Sequence, residues 1–228
     1  MTTAAFTPTQ ARSLPAWLPS VQATALGTML LDHLCAWLIT GPWPDLLRIT
    51  LGRLALPMFA FMVAWHVLHT AQPLRYAHRI LLIALIAQAP FMALHAQPLG
   101  NICFTLAAAA YLIAGLRRRD PWPLLLAAVL ALVIIGHVEY GIVGLALVLA
   151  CALAIRYPLA WLALLVWPLL QYGINLSAYS ATIGVVLLLT LYVTQPALPR
   201  LPHWLTRAFY PAHLWAIYLL VLVLEGLA

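Results

Sequence analysis

Lysine is absent from this 228-residue chain, and aspartate and glutamate together number five. Charged residues make up 7% of it against 65% hydrophobic ones. A soluble domain needs roughly a quarter of its residues charged, so these shortages exclude one, and a mean hydropathy of +1.01 agrees. No polar stretch is long enough for a second domain. Cysteine is scarce too: Cys35, Cys103 and Cys151 all fall inside apolar runs, at spacings that match no metal or disulfide framework. The formal charge of +6 invites a nucleic-acid reading. Its arginines, however, lie in short clusters between apolar spans, the pattern of cytoplasmic membrane loops. What is there is therefore an all-α, polytopic integral membrane protein with membrane lipid as a partner and no nucleic acid. No internal repeat is visible, which weighs against a transporter built from inverted halves.

A helix needs about 20 apolar residues to cross the hydrocarbon core. Nine spans are expected, near Val21–Thr40, Leu46–Thr70, Tyr76–His95, Asn101–Leu116, Trp122–His137, Glu139–Ile155, Leu159–Gly173, Ala178–Thr194 and Ala208–Leu227. They form one transmembrane domain over 21–228. Residues 1–20 form a polar tail that lacks the apolar core of a signal peptide, with Trp17 expected at the water–lipid interface. Turn chemistry separates the spans: Gly41-Pro42-Trp43-Pro44, Gln72-Pro73, Gln97-Pro98 with Gly100, and Asp120-Pro121. Pro57 and Pro168 fall within spans and are expected to kink them. Arg12, Arg75, Arg79, Arg117, Arg118, Arg119, Arg156, Arg200 and Arg207 collect on one side of this topology, leaving Arg48 and Arg53 on the other. The positive-inside rule then puts the N-terminus in the cytoplasm, with the chain in a bacterial inner membrane.

Against this apolar background the few ionisable side chains stand out, because charges at bilayer depth are normally paired and functional. At 1.5 Å per residue, Asp32 lies about 17 Å from the cytoplasmic end of the first span and Arg53 about 11 Å from the outer end of the second. These depths match within a turn, so an Asp32–Arg53 ion pair is expected, either as an inert staple or as part of a site. His33 adjoins Asp32 and suits a general base, a packing residue or a proton relay. Arg48 and Arg53 could hold an anion or stabilise an oxyanion. Asn101 opens the fourth span, either as its N-cap or with a role of its own. Glu139 suits a base or an amine anchor, or a solvated loop carboxylate. Tyr210 and His213 are three apart on one face of the last span, with Pro211 in its first turn. The clusters Arg75–Arg79 and Arg117–Arg119 suit lipid headgroups, and Arg75, Arg79 and Arg207 suit, more sharply, a nucleotide or coenzyme phosphate at the cytoplasmic face. The eight histidines form no zinc set, so no metal is expected.

Six stretches occur in order: Leu31-Asp32-His33; Leu51 to Phe61 (LGRLALPMFAF); Ala84 to Phe91 (ALIAQAPF); Asn101 to Leu106 (NICFTL); Glu139 to Gly144 (EYGIVG); and Phe209 to Leu214 (FYPAHL). In these the chain resembles the TraX family of conjugative-plasmid membrane proteins, TrbP proteins included. Glu139 departs from the family's aspartate before Tyr-Gly, and Cys103 from a large apolar residue. The resemblance implies an acyltransferase that acetylates the N-terminal amine of a conjugative pilin subunit, with acetyl-CoA as donor. In that chemistry His33, oriented by Asp32, is the expected base. Arg53 and Asn101 stabilise the oxyanion, and Glu139 receives the ammonium. Arg75, Arg79, Arg207 and Tyr210 hold the coenzyme, and His213 approaches the donor or carries an acetyl intermediate. The alternatives are a non-catalytic pilin-maturation or pilus-assembly factor, a different pilin modification (another acyl transfer or a peptide-bond rearrangement), or a solute transporter.

Overall fold

A computed structural model describes residues 15–134, 137–157 and 178–227, and these are helical. In chain order the helices are α1 (Leu18–Trp37), α2 (Pro42–Thr50), α3 (Ala55–His69), α4 (Pro73–His95), α5 (Ile102–Arg118), α6 (Pro121–Ile134), α7 (Gly141–Arg156), α8 (Ala178–Thr194) and α9 (His203–Gly226). A 3-10 turn, Gly52–Leu54, joins α2 to α3. Among the described residues three helical stretches are long and apolar enough to cross a membrane: Pro42–His69, Pro73–His95 and His203–Gly226. Shorter apolar helices cover Pro121–Val133, Gly141–Arg156 and Ile183–Thr194. The span expected at Leu159–Gly173, and Pro168 with it, lies outside the described residues.

Proline placement explains several starts. Pro19, Pro42, Pro73 and Pro121 sit in the first turns of α1, α2, α4 and α6, where a missing N–H leaves nothing unpaired. This corrects two expectations. Pro42 and Pro44 do not merely end the first span; they open the second, which starts four residues earlier than the apolar pattern suggested. Likewise α9 begins at His203, so Pro211 is an interior residue and not part of the first turn. Pro57, expected to kink its span, is the third residue of α3 and follows directly on the 3-10 turn. Helix α1 also starts early, and Trp17 is not a lipid-facing anchor. It is buried, 5.5 Å from Phe61, 5.9 Å from Trp65 and 5.3 Å from Tyr192 between ring centroids.

Helix α5 is the centre of the bundle and packs on α3, α4, α6 and α7. The run Ala107 to Ala110, with Ala114, is fully buried. Small side chains of this kind let helices approach closely where no hydrophobic effect drives them together. At the end of α5, Arg117 donates to the carbonyls of Val67 (2.9 Å) and Thr70 (2.7 Å), closing the C-terminus of α3. Of the cluster expected at lipid headgroups, this member is occupied within the protein.

Two loops are tied by a single bridge between Gly100 and Val138. Gly100 N–H donates to His137 O (2.6 Å) and Glu139 N–H to Gly100 O (3.0 Å). A Cβ on Gly100 would fall 2.7 Å from Val138 Cγ2, so only glycine permits the approach. Gly100→Ala is expected to destabilise the protein by about 1–3 kcal/mol through overpacking. Gly27→Ala, on α1 with nothing within 4 Å of the new atom, should be neutral or stabilising by up to about 1 kcal/mol. Thermal unfolding of both variants in detergent checks the pair.

Candidate functional site

The bridge at Gly100 places the Val138–Tyr140 turn against α1 and the 3-10 turn. Arg53, lifted out of the α2–α3 line by that turn, reaches three groups. Its Nε lies 4.0 Å from Asp32 Oδ1, and its Nη1 lies 3.7 Å from Glu139 Oε1. Nη1 also donates to the Tyr140 hydroxyl, whose ring centroid is 5.8 Å from the guanidinium. The expected Asp32–Arg53 contact is thus present and widened to a second carboxylate. Gly52 makes the approach possible, since a Cβ there would sit 2.7 Å from Asp32 Cβ.

Separations of 3.7–4.0 Å exceed the 2.7–2.9 Å of a tight charge-assisted bond. Arg53 therefore neutralises only part of the negative charge, and Asp32 Oδ1 is buried without a hydrogen-bond partner among the described residues. The side chains retain 16–25% exposure. Two carboxylates around one cation leave a net negative charge, which favours a second cation such as an ammonium.

His33 is not oriented by its neighbour Asp32, as expected, but by His213 across the bundle. His33 Nδ1 and His213 Nε2 are 2.6 Å apart, and the rings lie 13° from coplanar with centroids 4.9 Å apart, an edge-to-edge hydrogen bond. The tautomers follow. His213 Nδ1–H donates to Phe209 O at 2.7 Å, so a neutral His213 must accept at Nε2. His33 then donates from Nδ1, and its own Nε2 carries the lone pair. Both residues are buried, at 8% and 9% exposure. Trp37 packs on His33 at 5.0 Å and His95 on Trp37 at 5.1 Å.

Asn101 is fully engaged. Its amide donates to Ala84 O (2.8 Å) and Gln88 Oε1 (2.9 Å), and its Oδ1 accepts from Cys103 N (3.0 Å) as the N-cap of α5. Gln88 also accepts from Asn101 N–H and donates to Leu99 O at 2.9 Å. The amide hydrogens expected for an oxyanion are spent on holding α4 to the start of α5.

A cavity of about 520 Å3 lies between α1, α3, α4, α5 and the start of α9. Arg79, Arg200 and Arg207 line it together with His66, and apolar side chains from α1, α3 and α4 form its walls. Tyr210 closes one part of the lining, so three of the four residues expected to hold the coenzyme share one space. Arg75 does not: it is exposed and outside the lining. The histidine pair does not line the cavity but lies about one turn beyond it. Met29 and Tyr210 line it, and His33 and His213 follow them by four and three residues on the same helix faces. The Tyr210 ring lies 6.2 Å from His33 and 5.7 Å from His213.

The family described as TraX protein matches residues 18–221, from the start of α1 through most of α9. The chain belongs to the TraX family. Membership suggests a role in conjugative pilin processing, and the apolar helices are consistent with a membrane location. No curated protein and no solved structure matches the chain.

Within this TraX protein, sequence reasoning missed Tyr140 and Gln88 as partners of Arg53 and Asn101, and Arg200 as a cavity residue. The apolar walls of the cavity carried no signal, since every span is apolar. Asn101→Ala strips Gln88 and the buried Ala84 carbonyl of a partner and removes a cap. A loss of about 1–3 kcal/mol is expected, read as a lower unfolding midpoint, whereas a free catalytic amide would leave stability unchanged.

Proposed function

We propose that this TraX protein is a membrane-embedded acyltransferase that acetylates the N-terminal amine of a conjugative pilin subunit with acetyl-CoA. It works in a nine-span topology with a cytoplasmic N-terminus in the bacterial inner membrane. The observation that carries the reading is a cavity lined by three arginines and, at Met29 and Tyr210, about one helical turn from the buried His33–His213 pair. Acetyl-CoA carries phosphates at one end and its acyl group on a long arm, and this cavity offers cationic side chains for the one and leads toward a proton acceptor for the other.

In this mechanism Arg79 and Arg207, with Arg200, bind the coenzyme phosphates, and the arm lies along the apolar walls toward Tyr210. Asp32 and Glu139, spaced by Arg53, take the pilin ammonium. The α-amine has a reference pKa near 8 and must shed a proton to attack. That first proton leaves to water, and His33 Nε2 receives the second, released from nitrogen as the new bond forms. His213 holds His33 in the tautomer that leaves this lone pair free, and it shares the charge that develops across the 2.6 Å bond. The amine nitrogen bonds to the thioester carbon, the carbon–sulfur bond breaks, and the departing thiolate takes the proton from His33. Acetyl-pilin and free coenzyme leave.

Intact-mass analysis of pilin from cells with and without the protein tests the reading: pilin should be heavier by one acetyl group only when the protein is present. His33→Gln, expressed at wild-type level, should slow acetylation by about 10²–10⁴-fold, the usual worth of a general base. A scaffold that merely holds inserted pilin would tolerate the change and leave pilin mass untouched.

Glu139→Gln removes one of the two carboxylates that take the ammonium. It should raise KM for pilin and leave acetyl-CoA affinity within a few-fold, as steady-state kinetics with each substrate varied would read.

A further inference from the structure

Attack on a thioester turns its carbonyl oxygen into an oxyanion, which needs a donor in place before the reaction. The two donors expected from the sequence are committed elsewhere. Both amide hydrogens of Asn101 are given to Ala84 and Gln88, and Arg53 is held by Tyr140 between two carboxylates. Among the described buried side-chain atoms of the lining, one donor is unspent. The Tyr210 hydroxyl is buried, has no hydrogen-bond partner among the described residues, and belongs to a side chain that lines the cavity beside the histidine pair. Burying a hydroxyl without a partner is unfavourable, so its retention calls for a ligand. The ring needs no hydroxyl for packing, and phenylalanine would fill the same space.

We propose that Tyr210 is the oxyanion donor: its hydroxyl hydrogen-bonds the carbonyl oxygen of the bound acetyl thioester and stabilises the tetrahedral intermediate. This rests on the acetyltransferase reading. As the amine lone pair forms the new carbon–nitrogen bond, the carbonyl π pair moves to oxygen and is held by Tyr210 O–H. His33 takes the amine proton. When the carbonyl reforms, the carbon–sulfur bond breaks, the thiolate receives the proton from His33, and Tyr210 keeps its own proton throughout. The oxyanion donor and the base thus come from α9 and α1, which meet at the His33–His213 bond.

The test uses full-length protein in nanodiscs with acetyl-CoA labelled with 13C at the thioester carbonyl, and pilin acetylation in cells as the second readout. In the wild type the bound carbonyl stretch should move to lower frequency. Tyr210→Phe should lose that shift and slow pilin acetylation by about 100-fold or more, the usual effect of removing one such donor. It should leave acetyl-CoA affinity within a few-fold and the unfolding midpoint equal or higher, since no existing bond is lost.

If the wild type acetylates pilin and Tyr210→Phe matches it in rate and carbonyl frequency, the Tyr210 assignment falls while the acetyltransferase reading stands. A variant that weakens acetyl-CoA binding but keeps the turnover rate also overturns it. If the wild type leaves pilin unmodified, the acetylation reading falls, and the infrared comparison still decides whether Tyr210 bonds the thioester carbonyl.

Discussion

The arrangement depends on one guanidinium shared between two carboxylates. Arg53 enters from the 3-10 turn, Asp32 from α1 and Glu139 from the α6–α7 turn. Isolating any one of them at this depth would leave an uncompensated charge, which is far costlier than the pair is stabilising. The three elements are therefore held in register by the need to keep these groups together. Tyr140 adds a directional bond, and it does so from a left-handed backbone conformation (φ 59°) that a bulky residue rarely adopts. The Gly100–Val138 bridge and the bare Gly52 surface are the steric conditions for the meeting. Both are backbone approaches that a methyl group would block.

How far this was legible in the sequence differs by level. Helix positions followed from apolar length and proline punctuation, and Asp32 could be matched to Arg53 because depth along two spans is simple arithmetic. Boundaries slipped where proline can either stop or start a helix, as at Pro42 and at Pro211. Partners separated by long stretches of chain were out of reach. His33 and His213 are 180 residues apart, and no spacing rule links two lone histidines on different spans. Adjacency was misleading for the same residue: Asp32 and His33 are neighbours in sequence, yet successive helix positions point about 100° apart, and each finds a different partner. Asn101 was the reverse case, where an N-cap position at a helix start already indicated its main work.

Clustering of arginines in sequence also stood in poorly for clustering in space. Arg75 and Arg79 are one turn apart on α4, yet only Arg79 lines the cavity. Arg117 belongs to a run of three and is absorbed by the C-terminus of α3. Arg200 and Arg207 lie on separate segments and meet at the same opening. Positive charge on one side of a membrane protein thus divides into topology, helix capping and ligand binding. Only the surrounding carbonyls and cavity walls separate these uses.

The division between charged and neutral groups follows from what burial costs. The ions Asp32, Arg53 and Glu139 keep 16–25% of their side-chain surface exposed, whereas His33 and His213 are at 8% and 9%. A carboxylate backing His33 at that depth would bring several kcal/mol of desolvation and add a third negative charge near Asp32 and Glu139. An imidazole accepts the same hydrogen bond while neutral, and its own Nδ1–H is paid off locally by Phe209 O one turn back. His33 is thereby oriented without a buried ion. In the proposed reaction a charge would exist in the dry part of the site only while a proton is in transit, and two rings would share it.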